Sequence, residues 1–241
     1  MFIPDGDKMD HASRLLGYRS PARYRARGEH LFSGVNLLGR SLLEVGCGRG
    51  AWAIWAALHG AKRVVGIEPE ADGSRRDQLA EFRHAVDALA ISDVVAASGC
   101  KLEELPASFG YHDVVVLYDV INHLDEWAVQ RLHHDSAAWA KYLLILRMLR
   151  DKVTAGGTVI VADCARANLW PQLGMSNPFA PTIEWQKHQN PKLWMDLFRS
   201  AGFRVLDCRW SPLFPLGRVS SNRAVHYCTI SHFVLRFRRV D

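Results

Sequence analysis

Apolar residues in this chain fall into two kinds of stretch. In one kind they run almost without interruption, at positions 42–45, 64–67, 93–97, 112–119 and 158–162. Short continuous runs rich in β-branched residues predict strands covered on both faces, as in a parallel sheet flanked by helices. In the other kind they recur every three or four residues: Trp52, Trp55, Ala56 and Leu58; Leu79, Phe82, Val86 and Leu89; Trp139, Tyr142, Leu143, Leu146 and Leu149; Leu193, Trp194, Leu197 and Phe198. That spacing predicts helices with one buried stripe. Punctuation agrees with it. Gly60, Ala155-Gly156-Gly157 and Gly202 stop three of the helices, Asp72 or Ser74 caps the second, and Asn190-Pro191 opens the last. Two further strands, 203–208 and 227–237, are of the sort that closes such a sheet as a hairpin. Residues 1–40 hold turn formers and the basic segment GYRSPARYRARGEHLF, which predicts one or two short helices, either a lid or a segment packed on the domain surface.

The stretch 41–70, SLLEVGCGRGAWAIWAALHGAKRVVGIEPE, carries the most chemistry. It reads as strand, glycine loop, helix and second strand, with Glu68 at the far tip. Glycines at 46, 48 and 50 let a ligand approach the main chain closely, and the helix behind them offers unpaired N–H groups. A carboxylate ending the second strand can accept hydrogen bonds from both hydroxyls of a ribose. The arrangement suits a nucleoside cofactor, and two classes share it.

The pattern Glu44-x-Gly46-x-Gly48-x-Gly50 resembles motif I of the class I S-adenosylmethionine-dependent methyltransferases, and Glu68 stands where that family keeps its ribose acid. Gly46-x-Gly48-x-x-Ala51 also satisfies the relaxed dinucleotide pattern, so an NAD(P)-dependent oxidoreductase is the alternative. Glu44 argues against it, since an acid so close to the loop suits a methionine ammonium and repels a pyrophosphate. The resemblance implies a Rossmann-like, doubly wound α/β fold with a seven-stranded, mostly parallel sheet and an antiparallel last strand. It also implies a methyltransferase domain at 41–241, with a substrate-covering insert near 165–190. S-adenosyl-L-methionine is the cofactor it implies, held by Glu44, Gly46, Cys47, Gly48, Glu68, Cys100, Lys101 and Asp119. At Gly99-Cys100-Lys101 the acid usual beside the adenine is replaced, which leaves a noncatalytic cofactor-binding module as a second alternative.

His123, just past the fourth strand, is the candidate general base, imidazole titrating in the useful range. Asp119 and Asp163 would end neighbouring strands, but Asp163-Cys164 lacks the acid-amide pair of the magnesium-dependent catechol type, and no metal is assigned. Trp170, Met175, Phe179 and Trp185 in the insert could wall a flat substrate. Trp52, Trp55 and Trp194 are assigned to the core. His133, His134 and His188 have no spacing that selects a ligand role and default to solvent. No D/N-P-P-Y tetrad or Pro-Cys pair is present, which disfavours amino-nitrogen methylation of adenine or glutamine and carbon methylation of cytosine. An O- or N-methyltransferase for a small molecule, sugar or lipid-linked intermediate remains.

Composition adds bounds. The 241 residues are 49% hydrophobic, ample for one large α/β domain. Five cysteines without a C-x-x-C pair argue against a disulfide framework or zinc site and predict a reducing, cytoplasmic setting. A net charge of +5 is too modest to select nucleic acid over a solvated surface. Neither an apolar run of about 18 residues nor a leader-like start occurs, which predicts a soluble chain without a membrane span.

Overall fold

The computed structural model describes residues 5–69, 77–214, 216–217 and 220–241. In chain order the elements are α1 (Gly6–Leu15), α2 (Pro21–Leu31), β1 (Ser41–Val45), α3 (Ala51–Leu58), β2 (Arg63–Ile67), α4 (Gln78–Ala88), β3 (Val95–Ser98), β4 (His112–Tyr118), α5 (Glu126–Val129), α6 (Ser136–Arg150), β5 (Val153–Cys164), α7 (Leu169–Gln172), α8 (Pro191–Ser200), β6 (Phe203–Trp210), α9 (Arg223–Cys228) and β7 (His232–Arg239), with short 3-10 turns between some of them. The strands make one seven-stranded sheet in the order β3-β2-β1-β4-β5-β7-β6. Pairing is parallel among β1, β2, β3 and β4, and β7 runs antiparallel to β5 and β6.

The chain packs as two units, Met1–Leu117 with Lys152–Gly157, and Tyr118–Asp151 with Thr158–Asp241. In the first, every residue of β1 is buried, as its apolar run requires. Trp52 and Trp55 of α3 lie at 2% and 3% exposure, confirming them as core. Tyr24 of α2 packs against them, fully buried, its ring edge-on to Trp55 and its hydroxyl donating to the Ala51 carbonyl at 2.8 Å. Helix α2 starts where Ser20 accepts from Arg23 N, with Pro21 in the first turn.

The second unit is centred on the stripe of α8. Trp194, Leu197 and Phe198 are fully buried, with Trp194 against Tyr142 of α6 and Phe198 stacked on Phe237 of β7. Buried aromatic surface of this extent outweighs any local propensity in fixing the element.

Four boundaries depart from the pattern reading. The third strand is displaced to Val95–Ser98, because Val94 N donates to Ile91 O and closes a turn where the apolar run begins. Ala155-Gly156-Gly157 does not end a helix: α6 stops at Arg150, Lys152 O already accepts from His112 N of β4, and Gly156, at φ 67°, kinks β5 from within. Tyr227 belongs to helix α9, capped by Asn222 accepting from Val225 N, so the last strand starts at His232. Asn190 uses its side chain on Ala167 N rather than on its own helix. The proposed caps Asp72 and Ser74 lie outside the described residues, and α4 follows Asp77, which is left-handed and makes no side-chain cap.

Candidate active site

The first unit carries the glycine loop. After β1 the chain turns through Gly46, Gly48 and Gly50 at φ 63°, 51° and 74°, a left-handed run open to glycine at no steric cost. Gly50 N donates to Cys47 O at 2.7 Å, and Cys47 N to Ile67 O at 2.9 Å, which binds the loop to the end of β2. Glu68 follows immediately. It is 7% exposed, and its Oε2 accepts from Gly48 N at 2.9 Å, so the carboxylate faces the loop and not bulk water. A Cβ on Gly48 would come within 2.8 Å of Gln78 Oε1. The loop is thus a backbone cradle that a side chain would fill, with an acid at its lip, and it fits an adenosyl ribose.

Glu44 does something the pattern did not specify. It is 2% exposed, and its Oε2 accepts from Ala53 N at 2.7 Å, with Trp52 N a second donor. Gly50 has no side chain with which to cap α3, and the Glu44 carboxylate performs that task from the neighbouring strand. The first-turn N–H groups expected to face a ligand are therefore partly taken up inside the protein. Burial, the largest effect, raises the Glu44 pKa from 4.5 to about 8 against the pull of those two donors.

Cys100 is half-buried, Sγ 3.5 Å from Ser98 Oγ, and Ser98 O accepts from Glu68 N, so Cys100 lies in the strand-end cluster with Glu68. Lys101 is exposed, its backbone N donating to Glu104. Asp113 is structural: its carboxylate accepts from Ser41 N and Oγ at 2.9 Å each.

The second unit holds a separate group of predicted residues. Asp119 ends β4 at φ 53°, a conformation costly for a residue with a Cβ and common at functional positions. Its carboxylate lies 3.3 Å from His232 Nε2. His123, in the 3-10 turn Ile121–His123, bonds Glu126 Oε1 through Nδ1 at 2.8 Å, and its Nε2 lies 3.3 Å from Asn122 Nδ2. Both residues line a cavity of about 260 Å³ with Asn122, Cys164, Lys187 and His188. His188 is not a solvated histidine. Its side chain is 12% exposed and bonds the fully buried Asp163 through Nδ1 at 2.9 Å. Twenty-five residues and an aperiodic insert separate the two, so no spacing could announce the pair. Lys187, also unforeseen, bridges Glu126 and Glu184 at 2.9 and 2.8 Å. Among the described residues no group of three or more His, Cys, Asp or Glu side chains is arranged to hold a metal.

The model of a methyltransferase domain family matches residues 17–207. The chain belongs to this family. This methyltransferase is accordingly an enzyme that uses S-adenosylmethionine, and the dinucleotide alternative falls away. Its fold is that of solved methyltransferases. An S-adenosylmethionine-dependent methyltransferase from Aquifex aeolicus superposes with a TM-score of 0.63 at 14% identity, covering 95% of this chain and 98% of that one. Geranyl diphosphate C-methyltransferase from Streptomyces coelicolor A3(2) gives 0.63 at 13% identity, over 95% and 82%. Ribosomal protein L11 methyltransferase of Azotobacter vinelandii is 48% identical over 56 residues, a match that spans 22% of this methyltransferase and only 18% of that relative. None of the described helices is long and apolar enough to cross a membrane.

Proposed function

We propose that this methyltransferase acts on an oxygen or nitrogen atom of a small-molecule, sugar or lipid-linked acceptor, in a cytoplasmic setting consistent with its free cysteines. The cofactor-binding residues of the first unit are Gly46, Cys47, Gly48 and Glu68, with Cys100 and Lys101 beside the adenine. Glu44 supports the cofactor indirectly, by fixing α3 behind the loop. When bound, S-adenosylmethionine supplies a methyl group on a sulfonium, open to direct displacement. The protein then has three tasks: to grip the ribose, to orient the acceptor and to manage the acceptor's proton.

The observation that carries the choice of acceptor atom is the set of polar groups on the wall of the 260 Å³ cavity, where two imidazoles, two carboxylates, an ammonium and an amide converge. A carbon nucleophile with no acidic proton would make little use of such a lining, whereas a hydroxyl or amine is positioned and deprotonated by it. The volume lies near the lower end for ligand pockets and suits a small molecule or one protruding group.

The test is transfer of a tritiated methyl group from the cofactor into size-fractionated cell extract, with the labelled product identified by NMR. O- or N-methylated product of low mass is the expected result. Label on carbon, or confined to macromolecules, overturns the reading.

A further inference from the structure

We propose that His188, held by Asp163, is the base that accepts the proton of the methyl acceptor. This deepens the reading above and rests on it. Asp163 is the penultimate residue of β5 and has no exposed surface. Its Oδ1 accepts from Cys164 N at 2.8 Å and from His188 Nδ1 at 2.9 Å, while Oδ2 is buried without a hydrogen-bond partner. With Asp163 ionised, its Oδ1 accepts from Nδ1–H of the ring, which leaves the lone pair on Nε2. Nε2 has no hydrogen-bond partner among the described residues, and His188 lines the cavity.

His123 lines the same cavity but differs in two respects. Its Nδ1–H donates to Glu126, and its Nε2 already accepts from the Asn122 amide. Its companion carboxylate is 47% exposed, against zero for Asp163, so water screens the one pair and not the other. A histidine that merely stapled the insert to β5 would not need a place on the cavity wall. The next residue fixes the backbone: Gln189, 3% exposed, donates to Val129 O. Asp163 is a positioning residue in this scheme, and His188 the catalytic one.

In the step, Nε2 takes the proton of an acceptor O–H or N–H. The freed electron pair forms the bond to the methyl carbon as the carbon–sulfur bond breaks, its electrons returning to sulfur. The new imidazolium is countered by the Asp163 carboxylate and later loses its proton to water. Burial raises the Asp163 pKa, and the His188 hydrogen bond lowers it, so protonation of the ring and ionisation of the acid support each other. The other charged or titratable groups around the dyad are Asp119 from the end of β4, Cys164, Tyr142 from α6, Glu126, His123, Glu184 and Lys187.

Two measurements test the assignment. Long-range 1H–15N NMR of the histidine-labelled protein alone reads the tautomer: His188 is expected as Nδ1–H in the wild type and as Nε2–H in Asp163→Asn, whose amide donates to Nδ1. An Nε2–H wild type overturns the proposal whatever the acceptor. On the labelled O- or N-product of the extract fraction, His188→Gln should lower kcat by on the order of 10²- to 10⁴-fold. It should also flatten the acid limb of the pH profile, with calorimetric affinity for S-adenosylhomocysteine unchanged. A His188→Gln rate equal to wild type sinks the base alone, and label found only on carbon sinks the reading of the acceptor atom together with it. Asp163→Asn separates folding from catalysis, since a variant that melts like wild type but loses kcat without a matching rise in KM supports positioning.

Discussion

Glu44 in β1 and Glu68 just past β2 are acids of one strand–helix–strand unit, yet they answer to different physics. Glu68 holds the Gly48 amide at the lip of the loop. Replacing it with alanine removes charge-assisted hydrogen bonds to the ribose and should weaken S-adenosylhomocysteine binding by about 2 to 4 kcal/mol in calorimetry; a loss below about tenfold places the sugar elsewhere. Gly48→Val should be as damaging, because a β-branched residue is strained at φ 51° and its Cβ would displace the Gln78 side chain. Glu44 acts on stability. Its folded pKa of about 8 exceeds the ordinary 4.5, so the folded state keeps a proton that the unfolded chain releases. That contribution is whole below pH 4.5 and is lost as pH rises toward 8, by about 1.4 kcal/mol per pH unit. Denaturant melts of the wild type should decline across that window relative to Glu44→Gln, and parallel curves for the two proteins would show that Glu44 ionises freely. The glycines were legible in sequence because their conformation demands the residue type. The partner of Glu44 was not, since a motif records which residue is present and not which amide it meets after folding.

Among elements, strongly periodic ones were read correctly and weakly periodic ones were not. Helix α6 and helix α8 declared themselves through stripes that bury Tyr142, Leu146, Leu149, Trp194 and Phe198. The segment 223–228 has no such stripe, and it forms a helix capped by Asn222, which accepts from Val225 N. The glycine pair in β5 was misread because glycine marks a helix end and a strand kink alike. Tyr142 shows how an element positions chemistry: its buried hydroxyl donates to Ile121 O at 2.8 Å, holding the turn that bears Asn122 and His123. Tyr142→Phe leaves that carbonyl unpaired and should cost about 1 to 2 kcal/mol in denaturant unfolding. Cofactor affinity should be untouched, because the glycine loop belongs to the other unit.

For the molecule as a whole, alternation of strand and helix was enough to give the α/β class, because it rests on many residues at once, and the family resemblance supplied the antiparallel last strand. The acceptor side was opaque for the opposite reason. The cavity is built from the turn after β4, the end of β5 and an aperiodic insert, and its key contact joins residues 163 and 188. The insert is nonetheless tightly secured at its base. Asn168 Nδ2 donates to Thr229 O and Ser231 Oγ at 2.7 and 2.9 Å, and Asn177 Nδ2 to Asn168 Oδ1 at 3.1 Å, all close to the start of β7. Asn177→Ala removes the Asn177 bonds to Asn168 Oδ1 and Thr229 O and the acceptor of Phe179 N, and should destabilise the fold by about 1 to 3 kcal/mol; a melting midpoint equal to wild type would show that the contact is dispensable.

Two pinned points, Asn177 and His188, bracket a ten-residue span that includes Phe179 at 58% exposure and Thr182, Ile183 and Glu184 on the cavity wall. That span is a natural cassette: exchanging it wholesale would retune which molecules are accepted while the hinges on either side, and the nucleoside cradle, keep their shape.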